Sequence, residues 1–185
     1  MAKTESTMLP LGTQAPSFSL VNVVNGETVN LNVPQTPTAT VIMFICNHCP
    51  YVKHVNPELS RLAQDYSLKN VRFIAINSND IIAYPDDAPE HMKRVAETEG
   101  YTFPYLFDET QEVAKAYQAA CTPDFYIFDH NLSLVYRGQL DDSRPGNQIQ
   151  LSGSSVREAL DALIKGTVVS ALQKPSIGCN IKWKQ

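Results

Sequence analysis

Long apolar runs are missing from this chain. No stretch approaches the roughly 18 consecutive apolar residues that a membrane-spanning helix needs, so a membrane protein is not expected. The first ten residues are polar and lack the apolar segment of a secretion signal, which points to a cytoplasmic protein. Lys and Arg are few and scattered. Fifteen of them stand against nineteen Asp and Glu, for a net charge of −4. With no basic cluster, neither a nucleic-acid footprint nor a polybasic membrane anchor is expected. Repeats and low-complexity tracts are absent, and only one tryptophan, Trp183, is present. Four cysteines in 185 residues are too few for the disulfide scaffold of a small secreted domain, so their placement carries the information.

The chain has the length of one domain and enough apolar residues, 43%, to bury a core. Residues 1–9 read as a loose, flexible arm, residues 10–166 as the domain, and residues 167–185 as a tail carrying Cys179. Two short alternating runs, residues 18–24 and 28–31, flank Asn25-Gly26, a strong hairpin-turn signal. A Pro- and Thr-rich loop follows at residues 34–37. Residues 40–45 (TVIMFI) form a continuous apolar, partly β-branched run, as expected of a central strand buried on both faces.

From Cys49 to about Tyr66, Val52, Val55, Leu59, Leu62 and Ala63 recur at helical spacing, with a kink expected at Pro57. Further strands are expected at 71–77, 105–107, 125–128 and 134–137. Helices are expected at 89–98, ended by Gly100, at 110–120, and at 154–163, the last capped by Ser154 or Ser155 with Glu158. Strands alternating with helices, then two adjacent strands, argue for an α/β domain. Its central mixed β-sheet would be flanked by helices and preceded by an N-terminal β-hairpin.

The chemistry concentrates at Cys46-Asn47-His48-Cys49-Pro50, between the buried strand and the first long helix. A cysteine at a helix N-terminus faces unpaired backbone N–H groups and the positive end of the helix dipole. Both stabilise a thiolate and make the sulfur nucleophilic at neutral pH. Cys49 suits that place better than Cys46, and Pro50 suits the first helical turn, where no N–H partner exists. Cys46 is near enough to form a disulfide with Cys49 if the loop permits. A cationic His48 would lower a neighbouring thiol further. The same Cys-x-x-Cys could be half of a zinc site, but no second pair follows it.

These residues resemble the thioredoxin-like superfamily in its redoxin branch, the alkyl hydroperoxide reductase/thiol-specific antioxidant group. The resemblance runs from the opening Gly12-Thr13-Gln14-Ala15-Pro16-Ser17-Phe18-Ser19-Leu20 through the strand and CxxC to Thr122-Pro123, which precedes the strand at 124–128. It implies a thioredoxin-like fold with Pro123 as a cis-proline facing the active cysteine. Without gaps, the strand-ending phenylalanine of the thiol reductases falls on Phe44, their first cysteine on Cys49 and their helix proline on Pro57. The peroxiredoxin Thr-x-x-Cys-Pro falls on residues 46–50. Both alignments make Cys49 the nucleophile; the alternative register, with Cys46 on the first thioredoxin cysteine, shifts the helix proline by about one turn.

Two departures follow. Cys46 replaces the threonine that hydrogen-bonds peroxide, and Val52 stands where a downstream resolving cysteine would be. Cys46 is therefore the expected resolving thiol. Cys179, in Pro175-Ser176-Ile177-Gly178-Cys179-Asn180-Ile181-Lys182-Trp183-Lys184, resembles a tail segment of a bacterial redoxin subgroup and is a further candidate. Cys121, beside Thr122-Pro123, is another. His48, Pro50, Thr122 and Pro123 are expected as support.

The implied activity is thiol oxidation, peroxiredoxin-like or by thiol–disulfide exchange, on a peroxide or a disulfide. It needs no bound cofactor, and an external thiol such as thioredoxin or glutathione would regenerate the protein. A homodimer fits the family. The alternative is a protein that binds copper or zinc through Cys46, Cys49 and His48, with Cys121 or Cys179. His91 and His130 carry no partner pattern, His54 is expected as an exposed helix residue, Arg144 as a surface charge on a loop that could approach the site, and Asn79-Asp80 follow a strand end, where α/β ligand sites gather, without a catalytic assignment. Trp183, Tyr51, Tyr105 and Phe125 could form an apolar platform, with core packing as their default role.

Overall fold

A computed structural model describes residues 3–32 and 37–185. Its strands are β1 (Lys3–Glu5), β2 (Ser19–Asn22), β3 (Thr28–Asn30), β4 (Ala39–Phe44), β5 (Val71–Asn77), β6 (Tyr105–Phe107), β7 (Cys121–Thr122), β8 (Asp124–Asp129), β9 (Leu134–Gly138) and β10 (Ile177–Asn180). Its helices are α1 (Pro50–Asp65), α2 (Pro89–Glu99), α3 (Glu112–Ala116) and α4 (Ser154–Ile164). Most of the expected loop at 34–37 lies outside the described residues.

Among the described residues, seven strands form a mixed sheet in the order β3-β2-β6-β5-β4-β8-β9. β4 is central and buried along its whole length, as its apolar run requires. It pairs parallel with β5 and antiparallel with β8. The hairpin β2–β3 forms as the Asn25-Gly26 turn predicts. Val41 and Met43 of β4 point to a core shared with α1, α2 and α4, while Ile42 and Phe44 point to the opposite core, with Ala114, Tyr117 and Phe128. Helices thus cover both faces. No helix among the described residues is long and apolar enough to cross a membrane.

Three local expectations are corrected. α3 covers Glu112–Ala116 rather than 110–120, because Asp108 accepts the amides of Val113 and Ala114 at its start. The left-handed Gln118 then turns the chain toward Cys121. α4 is not capped by a serine. Gly153 is its cap residue, and the Asp141 carboxylate takes the Ser152 and Gly153 amides at 2.7 and 2.6 Å. The third correction concerns the ends of the chain. Within the expected loose arm and C-terminal tail, β1 and β10 are strands that pair antiparallel, and β10 pairs with β7 in a separate sheet ordered β1-β10-β7. Backbone ladders and buried hydroxyls hold these segments, and neither leaves a strong periodic trace in the sequence.

Candidate active site

The site lies at the carboxyl end of β4, where ligand sites of open α/β sheets gather. The chain leaves β4 at Phe44, passes Cys46, and enters α1 at Pro50 with Cys49 as its cap residue. The β4–β8 register sets Phe44 opposite Asp124. That register brings the preceding Thr122-Pro123, a cis peptide bond, against the cysteine loop. The Cys46 sulfur lies 3.2 Å from Thr122 Oγ1, and the Cys49 sulfur lies 3.4 Å from the Thr122 carbonyl.

The third thiol arrives from the far end of the chain. Cys179 sits opposite Thr122 in the β10–β7 ladder, and its sulfur is 2.8 Å from that of Cys49. Gly178 makes this approach possible, since a Cβ there would fall 1.9 Å from the Thr122 carbonyl oxygen. Flanking bonds fix the strand. Ser6 exchanges backbone and side-chain hydrogen bonds with Ser176, and the Ser6 hydroxyl donates to Asp124 at 2.6 Å. Beyond the strand, the Lys182 amide donates to Asn79 Oδ1 at 2.8 Å.

Cys46, Cys49 and Cys179 are 2%, 0% and 3% exposed, so the sulfur cluster is shielded from bulk water. The three thiols share their protons unequally. Cys49 is lowered from 9.0 to about 5, foremost by the hydrogen bond from Cys46. The Cys179 thiol and the Val52 amide add to this, against the opposing effect of burial. Cys46 is pushed well up by its bond to Cys49, by burial and by the charge of Asp87. Burial and the bond to Cys49 push Cys179 up to about 12. One thiolate at Cys49, with two thiols donating to it, is the state these shifts describe.

The remaining expected residues divide. Thr122, Pro123 and Pro50 stand at the cysteine pair. Cys121 does not join the cluster. Its sulfur lies 3.8 Å from the Pro123 carbonyl, and burial with the nearby Asp124 carboxylate pushes its thiol up. His48 turns to Asp87, with Nδ1 2.6 Å from Oδ2, and stacks on Tyr84. His54 bonds Ser143, and Arg144 bonds Gln139 Oε1 and the Asp141 carbonyl. Tyr105 and Phe125 are core residues.

Sequence reasoning missed Asp87 and Asp124. Asp87 reads as one more surface acid before a helix, yet it is buried. Asp124 is wholly buried, and burial pushes its carboxyl up to about 7 despite bonds from Ser6 and Tyr126.

Cys46, His48 and Asp87 hold potential ligand atoms within 4.8 Å of one another. This triple differs from the Cys46, Cys49 and His48 set of the soft-metal alternative, and its carboxylate is occupied. Both Asp87 oxygens are already taken by the Asn47 amide, His48 and Asn79 Nδ2. A carboxylate is also a poor partner for Cu(I).

A model of the AhpC/TSA family matches residues 11–137. The structure is similar to that of an uncharacterized conserved protein from Geobacillus kaustophilus, with 66% identity and a TM-score of 0.97 over 100% of this chain and 97% of that one. A hypothetical protein from Sinorhizobium meliloti 1021 is 44% identical, with a TM-score of 0.95 over 98% of each chain. The thioredoxin domain of a thiol-disulfide oxidoreductase from Bacteroides vulgatus shares the fold, with a TM-score of 0.60 at 16% identity over 74% of this chain and 90% of that one. No curated protein matches the chain.

Proposed function

The chain belongs to the AhpC/TSA family, and we propose that it is a thiol oxidoreductase in which Cys49 attacks a small hydroperoxide and Cys179 resolves the product. One observation carries this reading. The thiol with the lowered pKa stands at a helix N-terminus with a second, protonated thiol 2.8 Å away. The burial of all three sulfurs favours a small oxidant, because a protein disulfide cannot reach Cys49 while β10 covers it.

In the first step the Cys49 thiolate attacks one peroxide oxygen and the O–O bond breaks. Cys49 becomes a sulfenic acid, and the alcohol or water leaves with a proton from solvent. In the second step the Cys179 sulfur attacks the Cys49 sulfur, the S–O bond breaks, and water leaves as a Cys49–Cys179 disulfide forms. A small external thiol such as glutathione, which meets the same size limit as the oxidant, then reduces that disulfide by exchange.

This assigns to Cys179 the resolving role that the sequence alone gave to Cys46. Cys46 becomes the donor that keeps the negative charge on Cys49. The test is peroxide consumption with a thiol reductant by the native protein and by Cys49→Ser. Loss of turnover in the variant is expected, and retained turnover overturns the assignment. Turnover with oxidised glutathione but not with peroxide would reassign the substrate to disulfides.

A further inference from the structure

We propose that Asp87 is a positioning residue that ties the Cys49 loop to the Cys179 strand. The proposal rests on the reading that these two thiols form the working pair.

The geometry is that of a hub. Asp87 is the last residue of a short 3-10 turn (Pro85–Asp87) before α2 and is 0% exposed. A buried carboxylate without partners would be costly, and this one is saturated. Oδ1 accepts the Asn47 amide at 2.7 Å. Oδ2 takes His48 Nδ1 at 2.6 Å and Asn79 Nδ2 at 2.7 Å. Charge-assisted bonds of this length are among the stronger ones available to a protein.

Their partners are the informative part. Asn47 and His48 are the two residues between Cys46 and Cys49. Asn47 is held twice more, by the Tyr105 hydroxyl on its Oδ1 at 3.0 Å and by the Asp86 carbonyl on its Nδ2 at 2.8 Å. Asn79 passes the connection on. Its Nδ2 serves Asp87, and its Oδ1 accepts the amide of Lys182, three residues beyond Cys179. One side chain of Asp87 and one of Asn79 therefore span the two thiol-bearing segments, which lie 130 positions apart.

The Lys182 ammonium adds a second link. It bonds Asn180 and sits 5.5 Å from the centre of the Tyr84 ring, whose own stack is with His48. The charged and titratable groups around Asp87 are then His48 and Cys46 from the loop and Tyr105 from β6. The β5 end contributes only the neutral amides of Asn77 and Asn79.

Two consequences separate positioning from simple packing. The bonds to Asn47 and Asn79 hold the loop and the strand at the distance that lets the sulfurs meet. The carboxylate charge also opposes a negative charge on Cys46, so the thiolate stays on Cys49.

The test uses the full chain with 13Cβ-labelled cysteine, whose shifts report thiol or thiolate at each site. The rate of Cys49–Cys179 closure is measured after one equivalent of hydrogen peroxide. Asp87→Asn is expected to slow closure about tenfold or more, and to move part of the thiolate signature at pH 7 onto Cys46. Asn79→Ala removes the bonds to Asp87 Oδ2 and to the Lys182 amide but keeps the Asp87 charge, so closure slows while the thiolate signature stays on Cys49. A folded Asp87→Asn protein with native closure and the charge on Cys49 alone overturns the proposal. If that variant does not fold, unchanged closure in Asn79→Ala overturns it. Peroxide turnover surviving in Cys49→Ser would instead overturn the functional reading on which this one rests.

Discussion

Replacing Gly178 by alanine tests whether the covering strand sets the geometry of the thiol pair. The new Cβ would lie 1.9 Å from the Thr122 carbonyl oxygen, 2.6 Å from its carbon and 3.2 Å from the Pro123 nitrogen. These are backbone atoms of the segment that carries the cis peptide bond, so no flexible side chain can yield. A comfortable carbon–oxygen approach is about 3.3 Å, so β10 must retreat by about 1 Å or more. The Cys49–Cys179 contact, now 2.8 Å, opens by a similar amount. Overpacking of this kind costs about 1–3 kcal/mol, and weakening the short β10–β7 ladder adds about 1 kcal/mol per lost bond. At roughly 2–4 °C per kcal/mol for a chain of this length, the melting temperature should fall by about 5–15 °C.

The functional effect should be larger than the thermal one. An ångström of misplacement can slow a reaction by as much as about 100-fold. Disulfide closure after peroxide should therefore lag, and Cys49 sulfenic acid should accumulate for capture by a carbon-acid reagent. Calorimetry and quenched-flow mass spectrometry measure the two effects. An alanine variant with native melting temperature and native closure would refute the argument that Gly178 is there for close approach.

Three further outcomes follow from the same site. Because Cys49 titrates at about 5, its oxidation rate should be flat from pH 6 to 8 and fall roughly tenfold per pH unit well below 5 as the thiolate is protonated; a limb centred near the ordinary thiol value refutes the charge assignment. Cys46→Ala removes the foremost cause of that low value, the hydrogen bond donated to Cys49. Ultraviolet thiolate absorbance should titrate at higher pH in that variant, while Cys49–Cys179 still forms. Asp124 is the third case: its folded value of about 7 lies above the ordinary 3.8, so the native state holds its proton more tightly than the unfolded chain does. That contribution favours the fold below about pH 4 and is lost as pH rises through 7. Asp124→Asn should therefore gain in stability relative to the native protein over that interval, as chemical denaturation at several pH values will show. A constant difference would contradict it.

The part of this protein that was legible in its sequence is the part whose signals are local. β4 is an unbroken apolar run because both its faces are buried, and α1 declares itself through Val52, Val55, Leu59 and Leu62. Asn25-Gly26 makes a hairpin wherever two strands flank it. Cys49 before Pro50 marks the start of α1. The remainder depends on pairing between distant segments. β1, β7 and β10 have three, two and four residues, too few for alternation to register. The contact between Cys49 and Cys179 exists only after that sheet forms. Asp87 looks like an ordinary surface acid because nothing in the chain near it names Asn47, His48 or Asn79 as partners. The Asp141 carboxylate holds the Gly153 amide at the start of α4 from twelve residues upstream, which the nearer serines conceal.

The most direct test of the account is the map of disulfides after the reduced protein meets one equivalent of hydrogen peroxide. Trapping with an alkylating reagent, digestion and mass spectrometry would identify which cysteines are joined. A Cys49–Cys179 link as the dominant product, with Cys46 and Cys121 recovered as free thiols, is the result the structure predicts. A Cys46–Cys49 link that forms first and persists would contradict it.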